Sequence, residues 1–364
     1  MPPRLFASVC LALLLSVSAL GQKLPQPKLT PVAPTDAQLA LLRQGVALHE
    51  RQDYDGAIGK YEEVLKENPD NVVALYEIAF AYAAKKDHPK ALEYAYRGAQ
   101  YKSDTLALLY VLIGNTLDHE GQPDKAVDTY KAGIKQMPDE SLLYFNLAIT
   151  YNRLGKADDA KRSVKQALAL NPNHATSHLL LASMFQRGNY KTPALLAALR
   201  FLVLEPQTER SRAALQIARQ ILQGGVTPGK NENEIDIFLD PSAKTDEGDF
   251  SSLELFYGLA KAASMTKESK EKDKTEAQLL VDQFDSIFAV MSEMELKKVQ
   301  GKFAGKYYVP YFIELKRRKF VEPFVYHTFR RSGVRGVTEW LQDHDARILE
   351  FLVWSKNYQW PRVD

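Results

Sequence analysis

Histidines are the residues of this chain best suited to metal or acid–base chemistry, and its seven are scattered. Only His174 and His178 are four residues apart, a spacing that places two side chains on one face of a helix. No carboxylate joins them at the spacing of a zinc site, so we predict no metal there. Asp343, His344 and Asp345 are adjacent, and adjacent residues do not share a helix face. We interpret this triplet as a joint between two short helices.

A cluster of acidic residues raises the question of calcium binding: Asp236, Asp240, Asp246, Glu247 and Asp249. The twelve-residue calcium loop places acids at alternate positions and closes with a glutamate, which this spacing does not match. We interpret these residues as solvated loop carboxylates. The sequence also lacks G-x-S-x-G, H-E-x-x-H and a phosphate-binding glycine loop. It therefore predicts no catalytic residue, no metal and no cofactor.

An enzyme with its active site in the C-terminal half is the alternative hypothesis, and the repeats described below would then serve as its substrate-docking arm. The residues to test first would be His327, Glu322, Glu339 and His344. A basic run at residues 316–319, followed by Arg330, Arg331 and Arg335, could meet an anionic surface. We favour solvated cations at a helix C-terminus as the explanation of that run.

A repeat of about 34 residues organises the N-terminal half. Alanine recurs at spacings of 34, 35, 34 and 34, at Ala57, Ala91, Ala126, Ala160 and Ala194. Proline follows four of these alanines by twelve residues, at Pro69, Pro138, Pro172 and Pro206, whereas the second unit has Ser103. Each unit also carries a small residue before its alanine: Gly45, Ala79, Gly114, Ala148 and Ala182. A fixed period of this length predicts stacked supersecondary units.

Two helical apolar patterns separated by a turn occupy each unit. Proline ends the unit because it cannot continue the preceding helix. The acids or amides beside it are expected to cap the next helix: Asp70, Asn71, Asp139 and Asn173. This pattern resembles the tetratricopeptide repeat, with five units over residues 38–208. The resemblance implies an all-α superhelix (solenoid), and the amphipathic stretch 208–223 would close it, giving a region of 38–225.

The resemblance also implies a binding groove. In this family the first helix of each unit lines a concave surface that holds a partner peptide or helix. The matching positions are Leu42, Val46, Tyr76, Phe80, Val111, Asn115, Phe145, Ile149, Asn152, Leu179, Ser183 and Gln186. Some family members hold a terminal carboxylate with lysines and asparagines here, whereas Tyr76, Phe80, Phe145 and Ile149 replace that basic clamp. We therefore expect an apolar, aromatic groove rather than one for a chaperone-type acidic tail.

Two occupants of this groove are possible, because an exposed apolar stripe must be covered. The first is a separate protein, bound as a strand or amphipathic helix. The second is the chain itself, through residues 226–250 or the C-terminal region. The formal net charge of +2 argues against nucleic acid as a partner.

Residues 1–21 have the features of a secretory signal peptide: Arg4, an apolar run from Leu5 to Leu20, and small residues before Gly21. Cleavage is expected after Gly21, with cleavage after Ala19 or an uncleaved membrane anchor as the alternatives. Removing the segment would remove the only cysteine, Cys10, and leave no transmembrane span. The sequence thus predicts an exported protein, periplasmic or secreted, with a bacterial envelope as the expected location. Residues 22–37, rich in proline, are expected to form an extended tether.

After the repeats, residues 226–250 are predicted to be a linker with a short strand beginning at Ile235. Residues 251–364 are predicted to form an aromatic-rich helical domain, because all three tryptophans lie there. Apolar periodicity predicts its helices at 251–265, 275–298, near Pro310 and Pro323, and at 337–357. Aromatic residues at helical spacing are interpreted as core.

Overall fold

The computed structural model describes residues 24–223, 226–228, 235–237, 244–265, 274–293 and 302–363. The fold is all-α, as predicted, with two small β-hairpins. The chain forms two compact units, unit 1 at residues 1–133 and unit 2 at residues 134–364. The predicted signal peptide lies outside the described residues. No helix in the described part of the chain is both long and apolar enough to cross a membrane.

Unit 1 contains the first repeats as antiparallel helix pairs. Its helices are α1 (Asp36–Glu50), α2 (Tyr54–Glu67), α3 (Val72–Ala84), α4 (His88–Gly98) and α5 (Leu106–His119), and α6 (Pro123–Gln136) contains the division between the units. In the described residues α1 begins with a capping box, in which Gln38 N donates to Thr35 Oγ1 at 3.3 Å and Thr35 N donates to Gln38 Oε1 at 3.2 Å. The first helix therefore begins two residues before residue 38, the predicted start of the repeats.

Only one of the four predicted helix caps is confirmed. Asn71 Oδ1 accepts a hydrogen bond from Ala74 N at 2.9 Å. Its neighbour Asp70 instead accepts from the Tyr101 hydroxyl at 2.5 Å. Asp139 and Asn173 also do not cap, because the helices after them begin one residue later than predicted, with Glu140 and His174 at the N-cap positions.

In each repeat, the size of a small residue in the first helix is complementary to the size of the side chain that packs on it from the second helix. The small residue of each unit is followed sixteen positions later by a side chain of the second helix. A Cβ built on Gly45 would lie 2.3–2.8 Å from three carbons of the Tyr61 ring, and Gly114 is equally close to Tyr130. Where the small residue is alanine the later residue is smaller, in the pairs Ala79–Ala95, Ala148–Val164 and Ala182–Ala198. Glycine is therefore needed where tyrosine fills the space between the helices.

Unit 2 continues the repeats with α7 (Ser141–Arg153), α8 (Ala157–Leu170), α9 (Ala175–Arg187) and α10 (Lys191–Leu204). The closing helix is present as α11 (Ser211–Gln223), slightly shorter than predicted. Every residue of α10 from Thr192 to Val203 is buried, because α9, α11 and the C-terminal helices pack around it.

The rest of unit 2 begins with two antiparallel hairpins, β1 (Val226–Pro228) with β2 (Ile235–Ile237) and β3 (Lys244–Thr245) with β4 (Gly248–Asp249). The strand predicted at Ile235 is β2; its partner β1 was predicted to be loop. The following helices are α12 (Ser251–Met265), α13 (Glu276–Glu293), α14 (Phe303–Tyr307), α15 (Val309–Arg317), α16 (Val321–Thr328), α17 (Val337–Asp343) and α18 (Asp345–Lys356). Strands β3 and β4 were also predicted to be loop, and among the described helices the five-residue α14 had no counterpart in the prediction.

Aromatic side chains form the core of these C-terminal helices, as interpreted from the sequence. Phe284, Phe288, Phe312 and Phe324 are fully buried, and their rings contact one another with centroids 5.2–5.9 Å apart. Aromatic pairs are favourable at these separations in edge-to-face and offset arrangements. The aromatic residues that are enriched in the C-terminal part of the sequence therefore form its packed core.

Candidate partner-binding surface

Unit 1 presents an exposed aromatic patch, which we define as Val46, His49, Tyr76 and Phe80. The Tyr76 and Phe80 rings are stacked with centroids 6.0 Å apart, and the His49 ring meets the Phe80 ring at 4.8 Å. Phe80 is 43% exposed and Val46 38% exposed. The predicted groove residue Leu42 is only 6% exposed and belongs to the core of the first repeats. The patch therefore offers apolar surface from α1 and α3, without Leu42.

Burial shifts the pKa values of the titratable groups in and beside this aromatic patch. It lowers the pKa of His49, although Glu50 opposes the shift, so the imidazole is neutral at pH 7. Burial, assisted by Glu77, also raises the pKa of the Tyr76 hydroxyl. Burial raises the pKa of the Glu77 carboxyl itself. The sequence-based prediction omitted His49. This residue lies just before the turn between α1 and α2 and is not one of the repeat positions from which the groove residues were assigned.

The remaining predicted residue pair of unit 1 lies on α5. Val111 and Asn115 are both half-buried. The Asn115 amide oxygen accepts a hydrogen bond from the Tyr130 hydroxyl at 2.7 Å. Tyr130 is the ring that packs on Gly114, so the packing of the repeat also orients this amide.

Unit 2 presents its own apolar surface on α7. Phe145 is half-buried with its ring edge-on to His174 at 4.6 Å, and Ile149 is 39% exposed. The exposed Asn152 accepts from Arg187 at 2.8 Å. We call Phe145, Ile149 and Asn152 the α7 patch. It combines an apolar surface with an amide.

The predicted residues of α9 are engaged in local hydrogen bonds. Leu179 and Ser183 are half-buried, and the Ser183 hydroxyl donates to the Leu179 carbonyl at 3.0 Å. Gln186 is exposed and its amide donates to the Gln220 side chain at 2.6 Å. These polar groups lie on the helix surface and can exchange partners with a bound chain at small cost.

The C-terminal helices contact α8, α10 and the start of α9. The Tyr307 hydroxyl donates to the Leu168 carbonyl at 2.9 Å, and His327 Nε2 donates to the Val203 carbonyl at 3.0 Å. The Tyr308 hydroxyl donates to His178 Nδ1 at 2.8 Å. These contacts leave Ile149 exposed. In unit 2 they therefore do not support the hypothesis that the C-terminal region covers the α7 patch.

The histidine pair singled out by its spacing serves packing. His178 is fully buried, with Nε2 donating to the Pro172 carbonyl at 3.0 Å, and both of its ring nitrogens are therefore used. His174 Nδ1 lies 2.7 Å from the Ser177 hydroxyl. Within the described residues no three His, Cys, Asp or Glu side chains are grouped to hold a metal.

The four residues of the enzyme hypothesis have unrelated surroundings. His327 is buried against the Val203 carbonyl and the Phe351 ring, whereas Glu322 and Glu339 are exposed. His344 stacks on Trp340 at 4.0 Å, and its Nδ1 lies 2.7 Å from the Trp340 carbonyl. General acid–base catalysis needs such groups to converge on one substrate atom. The contacts of His327 and His344 support packing roles.

The acidic cluster differs from the prediction of solvated carboxylates. Glu247 is 1% exposed; it forms an ion pair with Lys165 and accepts from Ala304 N at 3.2 Å. Asp246 lies 3.6 Å from Lys161. The prediction was wrong for Glu247, because the lysine that holds it is 82 residues away in the chain. The side chains of Asp236 and Asp240 lie outside the described residues.

The basic run is paired on its own helix and on α13. Lys316 lies 2.6 Å from Asp285, and both Arg317 and Arg318 lie 2.7 Å from Glu314. Arginine and lysine at the end of α15 also interact favourably with its dipole. The later arginines Arg330 and Arg331 line an open cleft of about 520 Å³, which the sequence did not predict.

Acid should destabilise unit 2 through its buried histidines. Burial lowers the pKa of His178 to about 3 and that of His327 to about 4. In the unfolded chain these histidines have a pKa near 6.5, so below that pH they bind protons that they do not bind in the folded chain. The free energy of unfolding is therefore highest above pH 6.5 and falls toward pH 4. We expect these two groups together to lower the free energy of unfolding by about 2.3 kcal/mol between pH 6 and pH 5.

Urea unfolding followed across that interval measures this slope. His178→Gln and His327→Gln should each reduce this pH dependence by about 1.2 kcal/mol, whereas substitution of the exposed His119 serves as the control. An unchanged slope in both glutamine variants would contradict the assignment.

The repeated helix pairs and the small residues between them agree with comparisons to known proteins. The tetratricopeptide repeat family profile matches residues 48–104 and 119–184. Residues 48–184 are a tetratricopeptide-repeat segment. The recognition of this family from the alanine and proline spacing is confirmed. No curated protein matches the chain.

Solved structures of other proteins are similar to about half of the chain. The thermophilic TPR protein TTC0263 of Thermus thermophilus is 24% identical with a TM-score of 0.42, covering 51% of this chain and 99% of that one. Pseudomonas aeruginosa PilF is 18% identical with a TM-score of 0.41, covering 51% and 88%. YrrB, described as having an unusual peptide-binding site, is 14% identical with a TM-score of 0.36, covering 50% and 94%.

Proposed function

We propose that the protein is an exported scaffold that binds a partner protein through the first helices of its repeats. Tetratricopeptide repeats make it a protein-interaction module. The observation that carries the proposal is the aromatic patch, where Phe80 is 43% exposed beside Tyr76, His49 and Val46. A large exposed ring is unfavourable in water and adds binding energy when a partner covers it.

The partner that fits this patch is a peptide or amphipathic helix carrying apolar side chains. Burial lowers the pKa of His49, the one patch residue that could carry a positive charge, so the four patch residues provide no cation at pH 7 to hold a carboxylate. The α7 patch offers an apolar side chain, Ile149, beside the Asn152 amide. Helix-in-groove recognition uses such apolar anchors with polar groups at the rim.

Substituting Phe80 or Phe145 with alanine should reduce partner capture at least tenfold, because each removes a ring that a partner would bury. The measurement is affinity capture from an extract of the native envelope, with helicity monitored by circular dichroism. Leu349→Ala is the matched control, since Leu349 is an exposed apolar residue of α18. Undiminished capture by both variants would reject these sites.

Export is tested on the same purified material. Residues 1–21 carry the signal-peptide pattern, so the N-terminal residue of the mature chain should be Gln22. Its sequence can be read by mass spectrometry. A chain that retains Met1 and stays in the cytoplasm would exclude the exported part of the proposal and leave the binding part intact.

A further inference from the structure

The proline-rich segment before the first helix lies extended against unit 1. Lys28 N and Leu29 N donate to the Gln100 carbonyl at 2.8 and 3.0 Å, and Lys102 N donates to the Leu29 carbonyl at 2.8 Å. Leu29 and Tyr101 thus form a parallel β-bridge. The segment predicted to be a tether therefore pairs with the linker between α4 and α5 through main-chain hydrogen bonds.

Two buried side chains of the repeats also bind the main chain of this segment. Asn68 Nδ2 donates to the Val32 carbonyl at 3.2 Å, and the Tyr110 hydroxyl donates to the Pro25 carbonyl at 3.4 Å. Both donors belong to side chains that are nearly inaccessible to water. Buried polar groups need partners, and these find them in peptide carbonyls. Recognition here is directed at an extended backbone rather than at particular side chains.

The break in the repeat pattern occurs at this contact. Seven residues, 99–105, separate α4 from α5, whereas four separate α2 from α3, α6 from α7 and α8 from α9. The second unit is also the one with a spacing of 35 and with Ser103 in place of proline. The longer linker leaves residues 100–102 outside both helices. The Gln100 and Tyr101 N–H groups bond back to the end of α4, so the Gln100 carbonyl and the Lys102 N–H are the groups that pair with another strand.

The proline-rich segment has N–H groups where it pairs with residues 100–102 and prolines on either side. Its prolines, Pro25, Pro27, Pro31 and Pro34, flank a proline-free window at residues 28–30. The two N–H groups that bond to Gln100 belong to this window, at Lys28 and Leu29. Proline lacks an N–H but favours the extended polyproline conformation, so the flanking prolines reduce the entropy lost on docking.

We propose that residues 100–102, together with Asn68 and Tyr110, form a binding site for an extended, proline-flanked peptide. Residues 24–34 of the same chain are its resident ligand. Because this segment is joined directly to α1, its effective concentration at the site is high, and a free peptide must displace it. The site recognises main chain by strand addition and is distinct from the apolar surfaces of the first helices.

The test uses a fluorescent peptide with the sequence of residues 22–34. A chain beginning at Pro34, which retains the Thr35 cap, should bind this peptide at least tenfold more tightly than a chain beginning at Gln22. N-methylation of the peptide at Leu29 removes one donor to Gln100 and should weaken binding at least tenfold. Equal binding by the two chains, or indifference to N-methylation, would overturn the proposal.

A point variant tests the same site without truncation. Leu29→Pro removes the same N–H within the chain and should free the site, increasing peptide binding. Ala33→Pro, which adds a proline at a position outside the bonded window, is the control and should leave the site occupied. Light scattering of the chain beginning at Gln22 shows which molecule supplies the docked segment. A monomer supports docking within one chain. A dimer that dissociates when residues 22–33 are removed would overturn the assignment to the same chain.

Discussion

Replacing Arg200 with alanine will lower the free energy of unfolding of unit 2 by about 3–5 kcal/mol. Arg200 is fully buried. Its guanidinium donates to Ser355 Oγ at 2.6 Å, to Asn173 Oδ1 at 2.7 Å and to the Tyr311 hydroxyl at 3.3 Å. Alanine removes these hydrogen bonds and leaves a cavity between α10 and the C-terminal helices.

The positive charge of Arg200 is stabilised by rings as well as by neutral acceptors. Its guanidinium carbon lies 5.0 Å from the ring centres of Tyr311 and Trp360. A cation over an aromatic face gains about 2 kcal/mol or more when both are desolvated. Arg200 therefore joins the last repeat to α15, α18 and the C-terminal residues.

Tryptophan fluorescence during urea unfolding measures this loss, because all three tryptophans lie in unit 2. Arg200→Met retains most of the volume and should lose less stability than the alanine variant, since a buried charge can often be replaced by an apolar side chain of similar size. Arg162→Ala, at an exposed ion pair, is the control and should change stability by less than about 0.5 kcal/mol. A loss below about 1 kcal/mol in Arg200→Ala would contradict a structural role for this side chain.

Tyr61→Ala will destabilise unit 1 by about 3–5 kcal/mol, and Gly45→Ala by about 1–3 kcal/mol. The first removes a fully buried ring, and the second places a Cβ within 2.8 Å of that ring. The two residues share one space, so their effects should not add. In the double variant the alanine at residue 45 no longer meets the ring. It should then be neutral or stabilising, because alanine favours a helix over glycine by about 1 kcal/mol.

The double variant reproduces a combination that the chain already uses. The second repeat has Ala79 and Ala95 at the corresponding positions, and both are buried, in α3 and α4 respectively. Calorimetry or far-UV circular dichroism measures the cycle, because unit 1 contains no tryptophan. Additive losses in the double variant would show that the close approach of Gly45 and Tyr61 does not determine their identities.

Local features of the repeats were predictable because they recur. The alanine and proline spacing placed the helix pairs, and the small residues marked the close approach of their axes. Prediction was weaker where two adjacent residues can do the same task, as at Asp70 and Asn71, of which only Asn71 caps a helix. The choice depends on where the helix begins: Asn71 occupies the N-cap position, and the Asp70 carboxylate accepts from Tyr101, 31 residues away.

The sequence by itself determined the period, the helical fold, the family of the repeats and the aromatic character of the C-terminal core. These properties follow from residue types at short, regular separations, where chain geometry leaves few alternatives. Three contacts were decided by the tertiary structure. Arg200 lies against the rings of Tyr311 and Trp360, Glu247 is buried in an ion pair with Lys165, and the Leu29 N–H donates to the Gln100 carbonyl. Each of these depends on partners far apart in the chain, and the hydrophobic pattern of either partner alone does not reveal which of the many compatible groups will pack against it.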